Sequence, residues 1–455
     1  MLAYDTLSRA EIKLDLDPSR VVRVFVCGPT VQDSFHIGHA RTYAFFDSVV
    51  KYLRIRGYSV FYLQNITDID DKIINRAKEE NVSYDVISKK YTQEYFDLMK
   101  ALKIDSVNFY AMATRHIPEI IRQIGILVDR GLAYETSDGV YFSVMKFPDY
   151  GRLSGQDLDA LRTGARVDSS EEKMDPRDFV IWKKMKPGEP YWDSPWGKGR
   201  PGWHVEDTAI TEKYFGPTYD IHGAGTDLIF PHHEAEIAIE RSISGEPYLA
   251  RYWIHSAMIN VNQEKMSKSL KNYVTIRSVL EDYLPEELRY ALLNAQFRSN
   301  VNFAPQLMNE ARANINAINT LYEKLKFDLK NRASRGNNPF ITIFTEIFEN
   351  GLDFRNLFKN LLLQVNRWNS EFGSIGLIQK EFALEAIEWV DSFTGILPSG
   401  KGDSSGDELI ALLLKLRKSM REKKDFAGAD EIRKSLREMG ITIEDRGEET
   451  IWWKS

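Results

Sequence analysis

The chain has 455 residues, 60 Lys+Arg against 66 Asp+Glu for a net charge of −6, 43% hydrophobic and 28% charged residues. That length exceeds one ordinary core and points to about three domains, and the composition excludes a disordered or fibrous chain. No apolar run approaches the roughly 20 residues of a membrane span, and a net negative charge excludes a uniform basic coat while leaving room for a local basic stripe on a nucleic acid.

The N-terminus, MLAYDTLSRAEIKLDLD, lacks a basic start followed by an apolar stretch, so no secretory signal is expected and the cytosol is the expected location. The single cysteine, Cys27, makes an intrachain disulfide impossible. All histidines lie between His36 and His255. Chemistry is therefore to be sought in the N-terminal part.

Residues 21–27, VVRVFVC, form a continuous apolar run stopped by Gly28-Pro29 and read as a buried strand. His39 to Arg56 reads as a helix closed by Gly57, and SVFYLQNI, Ser59 to Ile66, as the next strand. Strand, helix and strand in this order are a βαβ unit, which implies a parallel, doubly wound sheet. A long turn-rich insertion follows. Pro231 then opens a second predicted helix, PHHEAEIAIERSI, ending near Gly245, and YWIHSAMINV reads as one further strand. Beyond about residue 275 the pattern becomes helical. It is broken by the linker-like segments NRASRGNNP at 331–339 and LPSGKGDSSGDE at 397–408. The last piece, 409–455, reads as a small helical module with a short β-like tail.

Two segments carry the chemistry. His36-Ile37-Gly38-His39 stands where the first strand gives way to the first helix. There, backbone N–H groups and the helix dipole favour an anion, a glycine lets a ligand approach the backbone, and imidazoles can stabilise charge on a transferring phosphoryl group. Lys265-Met266-Ser267-Lys268-Ser269 follows a late strand, with two lysines spaced to close over a polyphosphate. Either segment alone reads as easily as a solvated surface. Together, in this order and context, HIGH and KMSKS form the pattern of class I aminoacyl-tRNA synthetases.

Longer stretches narrow this. CGPTVQDSFHIGHARTYAFFD, NITDIDDKII, GRPGWHVED, DIHGAGTDLIFPHHEAEIA and EKMSKSLKN resemble cysteinyl-tRNA synthetases, as does the closing REKKDFAGADEIRKSLREMGITIED. The resemblance implies a Rossmann-like doubly wound catalytic domain at 1–275 with an insertion at about 126–202. It also implies an all-α continuation: a helical tRNA-stem domain at 276–400 and an anticodon-binding module at 401–455. The implied function is activation of cysteine with Mg²⁺-ATP and transfer to tRNA(Cys) by a monomer with no membrane attachment. The implied catalytic residues are His36, His39, Lys265 and Lys268. Gly38, Gly225 and Asp227 join them around ATP, and Thr67 and Trp203 serve the cysteine pocket.

The same resemblance implies a zinc ion, held in the family by a cysteine matching Cys27, a second cysteine, and a histidine and glutamate matching His232 and Glu236. Zinc binds thiolate well and alcohol poorly. His232 and Glu236 are spaced i, i+4, so a helix turns both to one face. At the second cysteine position this chain has Asp207. A carboxylate can ligate zinc, but the harder set should hold it less tightly; His204 and His233 stand ready as alternative ligands.

Lys415 to Arg437 is rich in lysine and arginine and suits phosphate contacts, and Trp452 and Trp453 could stack on unpaired bases. A solvated charged helix with a packing strand is the competing reading. Two rivals stand beside the synthetase. A ligase joining activated cysteine to an amino sugar lacks so long a helical C-terminal region, and a catalytically dead RNA-binding relative has only Asp207 in its favour.

Overall fold

The structure, a computed structural model, describes residues 1–156, 172–266, 272–330, 337–398, 404–447 and 449–454. The chain divides into two compact units, one of residues 1–279, 296–303 and 350–352, the other of 280–295, 304–349 and 353–455.

The first unit is built on β1 (Val22–Val26), β2 (Val60–Ile66), β3 (Phe109–Met112), β4 (Tyr219–Gly225) and β5 (Ala250–Ser256). They pair in the order β5-β4-β1-β2-β3, every neighbouring pair parallel. This is the doubly wound sheet that the βαβ pattern predicts. Its central strands are buried on both faces, which is why β1 and β2 read as unbroken apolar runs and not as alternation. The strand order reverses between β1 and β4, and such a switch point opens a crevice at the carboxyl ends of the strands.

Three departures from the sequence pattern have local causes. Helix α1 spans Ile37–Ile55, starting two residues before the predicted His39, because His36 is its N-cap. The helix predicted from Pro231 opens on one wide turn, because Phe230 just before it is extended, with φ of −134° and ψ of 134°. Regular helix resumes only at Glu234 and runs to Ser244. The strand predicted across 252–261 splits. β5 stops at Ser256, and Ile259–Val261 joins a separate sheet with Glu264–Lys265 and Val301–Phe303. At the break, Ala257 N–H donates to the Phe297 carbonyl at 2.7 Å and the Met258 carbonyl accepts from Arg41 at 2.9 Å. The backbone groups there are taken by partners outside the main sheet.

The insertion contains a four-stranded antiparallel sheet of Ala133–Glu135, Gly139–Phe142, Phe179–Lys184 and Gly199–Pro201, paired in chain order. Its last strand runs through Gly202 into α2 (Trp203–Phe215), followed in the fold by α3 (Glu234–Ser244).

In the second unit, α4 (Pro305–Leu329) packs against α5 (Phe354–Ser370) and α6 (Leu377–Thr394). Helix α5 buries Phe354, Leu357, Phe358, Leu361, Val365 and Trp368, a three- and four-residue spacing that makes one apolar stripe. The chain closes with α7 (Ser404–Glu422), α8 (Phe426–Glu438) and an antiparallel hairpin of Ile441–Arg446 with Glu449–Lys454, around a small core of Ile410, Leu436, Ile441 and Ile443. Among the described residues no helix is long and apolar enough to cross a membrane.

One glycine fixes how the chain leaves β1. A Cβ on Gly28 would lie 1.7 Å from the Asn65 carbonyl oxygen, and Gly28 N–H donates to Asn65 Oδ1 at 2.5 Å. The backbone of the β1 exit therefore lies flush on β2. Gly28→Ala is expected to destabilise the protein by about 3 kcal/mol, the upper range for overpacking, in urea unfolding monitored by circular dichroism.

Candidate functional site

Helix α1 begins with its own two imidazoles interlocked. His36 Nδ1 accepts from Gly38 N–H at 3.1 Å, His39 Nδ1 accepts from His36 N–H at 3.4 Å, and the rings stack with centroids 3.8 Å apart. This reciprocal cap satisfies two N–H groups that a helix start leaves unpaired. Burial, then the adjacent His36, hold His39 well below its ordinary pKa. It is therefore a neutral imidazole at pH 7, acting through a hydrogen bond and not through charge.

These histidines face a cleft of about 400 Å³ at the carboxyl ends of β1, β4 and β5. Cys27, His36, Gly38, His39, Trp203, Gly225, Asp227 and Met266 all line it, so the switch point joins most of the residues singled out in the sequence. Thr67 is apart from them: it is buried and its hydroxyl donates to Glu206 Oε2 at 3.0 Å. Lys268, with Ser267 and Ser269, lies outside the described residues. Thr42, Tyr43, Lys72 and Ser256 also line the cleft and were not found from the sequence. The signal for Thr42 and Tyr43 was their place one turn after HIGH; Ser256 is recognisable only once β5 is known to end beside β4.

Behind the cleft wall lies a buried ligand cluster. Cys27, Asp207, His232 and Glu236 each offer one atom within 4.8 Å of the others, and so do Cys27, His222, His233 and Glu236. Within the first set, Cys27 Sγ is 3.4 Å from Asp207 Oδ2, and His232 Nε2 is 3.2 Å from that oxygen and 3.0 Å from Glu236 Oε1. Trp203 stacks on His232 at 4.0 Å, and His204 Nδ1 meets His232 Nδ1 at 2.9 Å. Sequence spacing found the His232–Glu236 pair on its helical turn but missed His222 and His255, which come from β4 and β5.

The electrostatics of this cluster call for a cation. Asp207 Oδ1 and both Glu236 carboxylate oxygens are buried without a hydrogen-bond partner. Glu236 has ion-pair distance to His232 but not hydrogen-bond geometry, so we count its oxygens as unsatisfied. Burial, then Asp207, pushes Glu236 well above the usual carboxylate range. Burial, then Glu236 and Asp207, pushes the Cys27 thiol well up. Burial likewise holds His222 and His233 well below the imidazole range. A divalent ion would reverse these tendencies, deprotonating the thiol and neutralising the carboxylates. The donors — one thiol, imidazoles and carboxylates in a dry pocket — suit zinc.

At the far end of the chain the basic stretch is partly spent on structure. Arg417 is buried and grips Asp445 with two hydrogen bonds, 2.7 and 2.8 Å, and Arg421 joins them. Trp453 is 5% exposed and Trp452 packs on the core of its module. Trp453 thus serves packing and does not stand free for bases, while Trp452 is only partly buried. Lys415, Lys423, Lys424, Arg433 and Arg437 remain exposed.

Glu236→Gln keeps the shape while removing a carboxyl that, without a metal, must take up a proton to be buried. The metal-stripped variant is expected to be more stable than the metal-stripped parent by about 1 kcal/mol or more, roughly 1–2 °C in melting temperature for a chain of this size. The further rise on adding zinc should shrink. Calorimetry with chelator and with zinc reads both; a destabilised metal-free variant would contradict the orphan-charge account.

Known proteins agree with this geometry. Residues 15–313 match the family model of the tRNA synthetases class I (C) catalytic domain, and residues 407–452 match that of the cysteinyl-tRNA ligase anticodon binding domain. The chain is 54% identical over 455 residues to the cysteine–tRNA ligase of Thermoplasma acidophilum, covering 100% of both. It is 53% identical over 459 residues to that of Thermoplasma volcanium, again covering 100% of both. Among solved structures, the methionyl-tRNA synthetase of Mycobacterium tuberculosis in complex with methionyl-adenylate is similar with a TM-score of 0.61 at 15% identity, over 83% of this chain and 90% of that one. The LeuRS of Agrobacterium radiobacter K84 has a TM-score of 0.64 at 10% identity, over 84% and 85%; at such identities these two speak for the fold alone. With a switch-point cleft lined by the HIGH histidines, a ligand cluster beside it and relatives matched along the full length, the chain belongs to the cysteine–tRNA ligases of class I.

Proposed function

We propose that the cleft activates cysteine with ATP and that the chain then loads the cysteine onto tRNA(Cys). The observation that carries this is the single cleft joining His36, Gly38 and His39 on one side, Gly225 and Asp227 on another, and Cys27 with Trp203 at its base. ATP lies with its phosphates at the start of α1, where the helix dipole and the Gly38 backbone favour an anion. Asp227 accepts from the ribose hydroxyls. Mg²⁺ accompanies ATP as part of the substrate.

The cysteine carboxylate attacks the α-phosphorus in line, forming cysteinyl-adenylate and releasing pyrophosphate. Neutral His39 and its partner His36 donate hydrogen bonds to the phosphoryl oxygens as charge develops there, and Lys265 and Lys268 stabilise the departing pyrophosphate. A terminal ribose hydroxyl of the tRNA then attacks the cysteinyl carbonyl, breaking the mixed anhydride, so that the ester forms and AMP leaves. Trp203 orients the cysteine by its place over His232, and Thr67 supports the pocket from behind, its hydroxyl on Glu206.

Zinc is the metal this reading assigns to Cys27, Asp207, His232 and Glu236, and what it supplies when bound is a thiol-selective Lewis acid that favours the substrate thiolate. The division of labour along the chain is a catalytic domain at 1–275 with its insertion at 126–202, a helical tRNA-stem domain at 276–400 and an anticodon-binding module at 401–455. The exposed lysines and arginines of α7 and α8 serve the last of these. The chain works as a monomer in the cytoplasm.

Cysteine is expected to support ATP–pyrophosphate exchange while serine fails to, by a factor of about 10³ or more, since a site built for one polar contact rejects the analogue that cannot make it; comparable exchange with serine would end the thiol-selection reading. Lys268→Ala should lower kcat for adenylate formation by about 10²-fold with little change in the KM for cysteine, because its contact strengthens only as pyrophosphate leaves. Steady-state exchange kinetics separates this from a variant that only weakens cysteine binding.

A further inference from the structure

The cluster contains more ligands than one ion uses. Beside the Asp207–His232 pair, the Cys27 thiol meets a second pair of imidazoles. Cys27 Sγ is 3.2 Å from His233 Nε2 and 3.5 Å from His222 Nε2. The two Nε2 atoms are 3.2 Å apart, and Glu236 oxygens lie 3.8 Å from His222 and 4.0 Å from His233. A tetrahedral zinc site with Zn–N of about 2.0–2.1 Å and Zn–S of about 2.3 Å requires donor–donor edges near 3.3–3.6 Å. The sulfur–nitrogen and nitrogen–nitrogen edges here, 3.2–3.5 Å, lie within about 0.4 Å of that size, and a small rotation of Glu236 brings its oxygen in.

The outer contacts fit ligation as well. His222 Nδ1 is 2.7 Å from the Tyr219 hydroxyl. His233 Nδ1 is 2.8 Å from His255 Nε2, and His255 Nδ1 is 2.7 Å from the Thr6 hydroxyl. If each Nδ1 carries its proton outward along these contacts, both Nε2 lone pairs point at one another and at Cys27. Metal-binding histidines are held by an N–H on the far nitrogen in this way. The alternative is a metal-free hydrogen-bond wire in which one Nε2 donates to the other.

We propose that Cys27, His222, His233 and Glu236 form a second zinc-binding position that overlaps the first through Cys27 and Glu236. The proposal rests on the zinc reading given above and goes beyond it. Its ligand set, one thiolate, two imidazoles and one carboxylate, is softer than one thiolate, one imidazole and two carboxylates, so zinc loses little by taking it. Asp207 is then not indispensable for metal binding.

The test uses the full-length chain purified with zinc. Asp207→Ala, and the isosteric Asp207→Asn if the first fails to fold, should keep about one zinc per chain by elemental analysis. An anomalous map at the zinc edge should place the ion against Nε2 of His222 and His233. Adding His222→Ala to the Asp207 variant should weaken zinc by at least about 10-fold in chelator competition. A folded Asp207 variant without zinc, or one whose ion stays bonded to His232, overturns the second position while leaving the first intact. A wild-type protein without zinc after the same purification overturns both, and points to the hydrogen-bond wire.

Discussion

Glu236, Asp207 and Cys27 bring three groups that carry negative charge when ionised into a pocket with essentially no water contact. Ions buried without partners cost several kcal/mol each, so this pocket is either protonated or filled by a cation. Much of the first unit can be understood as the frame that makes the pocket. The β1 exit delivers Cys27, α2 delivers Asp207, and the wide turn before α3 sets His232 and His233 ahead of Glu236 on successive helical positions. His232 and His233 stand four and three residues before Glu236, so the helical turn itself brings both within reach of its carboxylate.

The active cleft and the ligand cluster share one wall. Cys27 lines the cleft and belongs to both ligand sets, and Trp203 lines the cleft while lying flat on His232. What sits in the cluster therefore determines the polarity of the cleft floor. On another part of the lining, Gly225 ends β4, and a Cβ there would meet the Asp227 carboxylate at 2.5 Å, so that carboxylate folds back over its own strand end, from where its charge still reaches Cys27.

The sheet was legible because parallel strands buried on both faces write themselves as apolar runs, and HIGH and KMSKS could be placed against those runs. The ligand pair His232–Glu236 was legible because local helical spacing is a sequence property. His222 and His255 were not, since a strand-to-strand contact leaves no trace in spacing; the one available clue was the crowding of histidines into the N-terminal part. His116 shows the limit of that clue. It bonds Met112 and Tyr214 and takes no part in the cluster. Between the two readings of the C-terminal tryptophans, Trp453 went to the packing strand: in a module with so small a core, a large aromatic side chain is needed for packing.

His36 and His39 close the first turn of α1 with their own rings. The groups proposed above to meet the triphosphate thus also hold the helix end together: the His36 ring is fixed by Gly38 N–H and the His39 ring by His36 N–H. Such a turn arrives at its ligand already ordered, so the entropy of freezing two side chains is met during folding and not at each encounter with nucleotide. The two positions are consequently tied to each other through the cap, so that a replacement at one alters the geometry of the other.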